Sequence, residues 1–88
     1  MALIEYDITI QGYSTGAFVQ SNCNSITFLN LGNATATIDQ AVPLLQNQSF
    51  TIDGNQCEHT NHVFQINFDT STGTTQNLVV ILKSYINN

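Results

Sequence analysis

Apolar side chains in this chain recur at every second residue, and no stretch carries the three-to-four spacing of a helix. Ile4, Tyr6, Ile8 and Ile10 alternate with Glu5, Asp7 and Thr9. Ile26 and Phe28 alternate with Thr27 and Leu29, Phe50 and Ile52 flank Thr51, and Phe64, Ile66 and Phe68 alternate with Gln65 and Asn67. Successive side chains of a strand point to opposite faces, so a period of two describes a strand buried on one side. The residues at 3–10 thus predict a half-buried first strand, followed by a turn over 11–16 that contains Gly12, Tyr13 and Gly16. Further turns are signalled at Gly32-Asn33 and Asp53-Gly54-Asn55, and the polar tract at 70–77 predicts a hairpin with a loose tip. Pro43 cannot donate to a sheet ladder and argues for an edge or a kinked connection. Together these predict an all-β chain, a single small antiparallel β-sandwich or jelly-roll-like barrel of about 7–8 short strands. One domain covers residues 1–88.

A chain of 88 residues has a modest core, and chains of this size are often steadied by a disulfide, a metal or partner subunits. Its polarity comes from Asn, Gln, Ser and Thr rather than from charge. Lys83 is the one basic residue against six acids, for a formal net charge of −5. Neutralising phosphates requires Lys and Arg, so no nucleic-acid partner is expected. Attraction to an anionic membrane surface fails for the same reason. The start, MALIEYDITI, lacks the basic n-region of a signal peptide, and the longest apolar run, at 78–82, has the length of a strand rather than of a membrane span. Synthesis in the cytoplasm is the expectation.

Chemistry-bearing residues concentrate in QCEHTNH, at 56–62. Cys57, His59 and His62 are the candidate metal ligands, with Glu58 among them and Cys23 available in principle to complete a set. Zinc sites favour C-x2–4-C and H-x3–5-H spacings, and this run has neither. The expectation is a polar loop leading into a strand, with no metal and no cofactor. A reactive thiol needs a helix N-terminus, a metal or basic neighbours, and none is in evidence, so catalytic residues and an enzyme are not expected. The spacing leaves open whether Cys23 and Cys57 pair in a disulfide. Glu5 and Asp7 share a strand face and are read as solvated edge charges. Tyr6, Tyr13 and Tyr85 are the candidates for stacking on a sugar, Tyr13 being the one expected to be exposed, which keeps a receptor- or glycan-binding module as the alternative.

The last apolar run is informative about partners. Leu78, Val80 and Leu82 point one way, while Val79 and Ile81 point the other. A two-layer sandwich covers one face of each strand, so the second face must meet another layer or another subunit. Lys83 follows as a guard against uncontrolled strand pairing. Val79, Ile81 and Tyr85 are therefore the predicted interface residues, in a homo-oligomer or larger assembly.

The block at 25–54, SITFLNLGNATATIDQAVPLLQNQSFTIDG, resembles a pattern in small structural proteins of bacteriophage virions. The matching positions are Asn30, Gly32, Ile38, Leu44, Asn47, Ser49, Phe50, Ile52 and Gly54. The resemblance covers about a third of the chain and excludes the QCEHTNH run. It implies a capsid-associated, decoration, vertex or fibre-base protein that folds as a small β-sandwich and packs beside copies of itself and other virion proteins. It implies no catalytic residues, and a location in the virion.

Overall fold

A computed structural model describes residues 5–55 and 58–86. Among these residues the chain forms eight strands: β1 (Tyr6–Tyr13), β2 (Ala17–Gln20), β3 (Ser25–Asn30), β4 (Thr35–Ile38), β5 (Val42–Leu44), β6 (Ser49–Ile52), β7 (Val63–Asp69) and β8 (Leu78–Tyr85). They make two antiparallel four-stranded sheets, ordered β1-β8-β3-β6 and β2-β7-β4-β5. The fold is an all-β sandwich, and its strand order is that of a jelly roll.

The topology is most simply seen as one long hairpin rolled on itself. β4 pairs with β5, β3 with β6, β2 with β7 and β1 with β8, and the roll closes where β3 meets β8 and β4 meets β7. At the hairpin apex Asp39 and Gln40 both take left-handed backbone angles, φ 54 and 57, and the Ala41 N–H donates to the Ile38 carbonyl at 3.0 Å. Paired positive φ angles give the turn a twist that matches that of the flanking strands. Pro43 lies on β5, at the edge of its sheet, where its missing N–H removes no ladder bond from a neighbour.

The alternating residues fill the space between the sheets. Ile26, Phe28, Ile38, Phe64, Ile66, Leu78 and Val80 are buried, and Phe50, Ile52, Phe68 and Leu82 pack around them. Phe28 is central: its ring stacks on Phe50 at 6.4 Å and meets Phe64 edge-on at 5.2 Å. Such offset and edge contacts suit the ring quadrupole.

Three expectations are corrected. β1 runs on to Tyr13, so the turn shortens to residues 14–16 and Tyr13 is partly buried against the core. The tract at 70–77 does not close a hairpin, because β7 and β8 belong to different sheets. It crosses between them and is held to the segment 31–35: Ala34 N–H donates to Thr75 O at 2.9 Å, Thr75 N–H to Asn33 Oδ1 at 2.7 Å and Thr35 N–H to Thr72 Oγ1 at 2.8 Å. Finally, the apolar side of β1 faces away from the core. Because Tyr6, Ile8 and Ile10 pair with Tyr85, Lys83 and Ile81, they share the outer side of β8 while Leu78 and Val80 occupy the inner one.

Buried polarity is fully partnered at the key position. Asn30 has no exposed surface. Its Nδ2 donates to Ala34 O at 2.9 Å and to Leu44 O at 2.8 Å, and its Oδ1 accepts from the Gly32 N–H at 3.1 Å. One amide thus joins the end of β3 to β5 in the opposite sheet. The turn it supports admits only glycine at 32, since a Cβ there would stand 2.3 Å from Thr75 O. Asn30→Ala should cost about 2–4 kcal/mol in urea denaturation, because the Ala34 and Leu44 carbonyls lose their side-chain donor inside the protein, while the Gly32 N–H keeps Asn77 O at 3.1 Å. A loss below about 1 kcal/mol would mean that water replaces the amide.

Candidate functional site

The two outer faces of the sandwich differ in character. On the β2-β7-β4-β5 sheet, the register sets Phe18 with Gln65, Gln20 with Val63 and Thr37 with Asn67 on the outside, a mixed face in which Phe18 and Val63, 72% and 50% exposed, stand singly among amides and hydroxyls. On the β1-β8-β3-β6 sheet the corresponding positions are Tyr6, Ile8 and Ile10 of β1, Val79, Ile81, Lys83 and Tyr85 of β8, and Thr27 and Leu29 of β3. Tyr6, Ile8 and Ile10 are 50%, 53% and 67% exposed. Ile10 opposes Ile81, which opposes Thr27, and Gly12 opposes Val79, which opposes Leu29. The result is one continuous apolar band across three strands. This band is the candidate interaction surface.

The band is bounded at one end by aromatic and charged groups. Tyr6 and Tyr85 meet edge-on at 6.3 Å, and the Lys83 ammonium lies 4.6 Å from the centroid of Tyr6 and 4.9 Å from that of Tyr85. Beyond them opens a cleft of about 410 Å³ lined by Ser25, Asp53, Glu58, Lys83 and Tyr85. The predicted interface residues Val79, Ile81 and Tyr85 therefore lie together on one face. Tyr6, Ile8, Ile10 and Leu29 join them, although sequence alternation alone suggested that β1 turns its isoleucines inward. Alternation identifies which residues share a face; the side that face takes was set by the pairing partner, β8.

The sugar-stacking candidates are separated. Tyr13 packs against the core and its hydroxyl donates to Gln11 Oε1 at 2.6 Å. Tyr6 and Tyr85 lie on the outer face with Lys83 over both rings, so the cation occupies surface that a stacking sugar would need.

The described part of the run, residues 58–62, belongs to a loop anchored from the segment before β3. Cys57 lies outside the described residues. Cys23 and Thr60 form an isolated bridge, Cys23 N–H donating to Thr60 O at 3.1 Å and Thr60 N–H to Cys23 O at 2.7 Å. Ser21 Oγ donates to Thr60 O at 2.9 Å and accepts from the His62 N–H at 2.8 Å. Asn24 donates to the carbonyls of Asn55 and Glu58 and accepts from the Tyr85 N–H, while Ser25 Oγ both donates to Gly54 O and accepts from its N–H. Buried Ser and Asn side chains so act as the loop's fastening, with Cys23 a buried free thiol beside them. Burial pushes the Cys23 pKa up, away from the reactive thiolate.

Among the described residues His59 and His62 are not gathered into a set of metal ligands. The described residues contain no cluster of three or more His, Cys, Asp or Glu side chains able to hold a metal. His59 is exposed, whereas His62 lies 2.8 Å from Asp39 Oδ2 and packs edge-on against Phe64 at 4.5 Å. Asp39 also accepts from the Gln65 N–H at 2.8 Å. That backbone bond first, and the His62 contact second, hold its carboxyl below the usual range. His62 thus secures the hairpin apex to β7.

No protein-family model matches the chain, and neither a curated protein nor a solved structure matches it.

A carboxylate whose pKa is lowered by folding adds stability above its unfolded pKa of about 4, and that stability disappears as pH falls through the folded value. Asp39→Asn keeps a residue tolerant of the left-handed backbone but removes the charge. Thermal melts should place the wild type above this variant by a constant interval from pH 7 to about 5, and the interval should close toward pH 2. An interval unchanged across that range would show that the charge contributes nothing.

Proposed function

We propose that this protein is a non-enzymatic structural subunit of a phage virion, packing as a homo-oligomer or with other capsid or spike subunits through the outer face of the β1-β8-β3-β6 sheet. The observation that carries the assembly is the continuous apolar band across Ile8, Ile10, Val79, Ile81 and Leu29, whereas the other outer face sets Phe18 and Val63 apart among Gln, Asn and Thr. Acidic side chains are missing from the middle of the apolar band, and depletion of charge is the compositional mark of an interface centre. Burial of apolar surface there supplies on the order of 25 cal/mol per Å² before the costs of association.

The virion assignment comes from the resemblance of residues 25–54. Jelly rolls serve in viral capsid domains and equally in lectins and cupins, so the fold supports the reading by analogy alone. The mechanism is packing without turnover, in a particle assembled from chains made in the host cytoplasm.

Light scattering on the purified chain should report an oligomer. Val79→Asp combined with Ile81→Asp should yield a monomer with an unchanged β-type circular dichroism spectrum. A wild type that stays monomeric at millimolar concentration would sink the assembly reading. Global unfolding of the double variant would instead assign the face to the domain's own stability. Mass spectrometry of purified particles tests the virion location, which fails if the chain is absent from them.

A further inference from the structure

Four strands form the margins of the two sheets, and three of them are poor templates for further pairing. β2 and β6 span four residues each, and β5 spans three and contains Pro43. β1 spans eight residues, has no proline and, among the described residues, is hydrogen-bonded along one side only, to β8. The Ile86 N–H donates to the Glu5 carbonyl at 2.9 Å, which fixes the parity of that ladder. Odd-numbered residues of β1 bond to β8, so Tyr6, Ile8, Ile10 and Gly12 direct their N–H and C=O groups to the open margin. A long margin of this kind is an attachment site for another strand.

We propose that β1 pairs antiparallel with β1 of a second copy, about a two-fold axis at Thr9, joining the two four-stranded sheets into one eight-stranded sheet. This rests on the self-assembly reading above and adds to its face contact a contact between sheet margins. Ladder parity restricts the axis to positions that oppose even residues to even ones. An axis at Thr9 sets Ile8 against Ile10 of the second copy, Tyr6 against Gly12 and Asp7 against Gln11. An axis at Ile10 would leave Ile8 against a glycine, and one at Ile8 would shorten the overlap. An axis at Asp7 would set two carboxylates face to face, which is destabilising.

Charge selects the same arrangement. With the axis at Thr9, Asp7 and its symmetry mate are four residues apart along the strands, about 13 Å. That exceeds the Debye length of about 8 Å at physiological ionic strength, so two acidic chains meet without direct repulsion at the joint. Their apolar bands become continuous through the Ile8–Ile10 pairs, which extend the existing Ile10–Ile81 contact. About eight main-chain hydrogen bonds would close the margin.

Cysteine scanning of the full chain tests the register, in a Cys57→Ser background to remove a competing thiol. Thr9 sits on the axis in a non-hydrogen-bonded pair, where Cα atoms are about 4.5 Å apart and within disulfide range. Thr9→Cys should therefore form a covalent dimer under mild oxidation, and peptide mass mapping should find position 9 of one copy linked to position 9 of the other. Asp7→Cys and Gln11→Cys should each cross-link at least about tenfold more slowly alone than when mixed with one another. Equal cross-linking by all single variants would mean random collision and would overturn the pairing. Absence of the Thr9→Cys dimer, while the wild type still oligomerises and the Val79→Asp/Ile81→Asp variant does not, would overturn the pairing but leave face-to-face assembly standing. A monomeric wild type without cross-links would remove both.

Discussion

The register of β8 between β1 and β3 is the constraint on which the rest of the structure depends. β8 is apolar on both sides, and in a strand a shift of one residue exchanges the two sides completely. Its observed register places Leu78, Val80 and Leu82 against the aromatic core around Phe28, and sends Val79 and Ile81 outward. That choice then decides the orientation of β1, whose isoleucines follow Ile81 and Lys83 to the outside. The apolar outer face is thus a consequence of how the core was filled.

Interior polarity in this chain is managed by neutral side chains. Asn30 bridges β3 to the facing sheet, while Ser21, Asn24 and Ser25 hold the loop that precedes β7. Each hydroxyl or amide serves two or three backbone groups, which avoids the large desolvation penalty of a buried charge. The abundance of Asn and Ser in the composition has this structural meaning at four positions at least. It also accounts for the described part of the segment QCEHTNH, where backbone groups of Glu58, Thr60 and His62 are taken up by that fastening.

Much of the fold was legible because it was written in alternation. Phe28, Phe64, Ile66, Leu78 and Val80 are buried where a period of two places them, and Pro43 lies on an edge strand because it lacks an N–H. What alternation does not encode is the identity of the neighbouring strand. Residues 63–69 and 78–85 look like two arms of a hairpin, yet they pair in different sheets because the roll brings β8 between β1 and β3. The same limit hid Ile8 and Ile10 from the candidate face, since their exposure follows from partners at the far end of the chain, Lys83 and Ile81. The Asp39–His62 contact was equally hidden, for it joins the hairpin apex to β7 across 23 positions.

Charge placement bears on how such a surface is kept from sticking indiscriminately. With six acids and one lysine, the chain carries a net charge of −5, and its acids sit at strand ends and loops: Asp39 at the apex, Asp53 and Glu58 beside the cleft, Asp69 at the end of β7. Copies therefore repel one another in most orientations, a repulsion that keeps a partly apolar chain dispersed. The centre of the band, from Ile10 across Ile81 to Leu29, is exempt from that repulsion and has little polar surface to desolvate. Lys83, fixed between Tyr6 and Tyr85, supplies the single positive group at its rim. In the proposed assembly this distribution bears on orientation more than on affinity: the acids keep like-charged surfaces apart, and the centre of the band carries none of them.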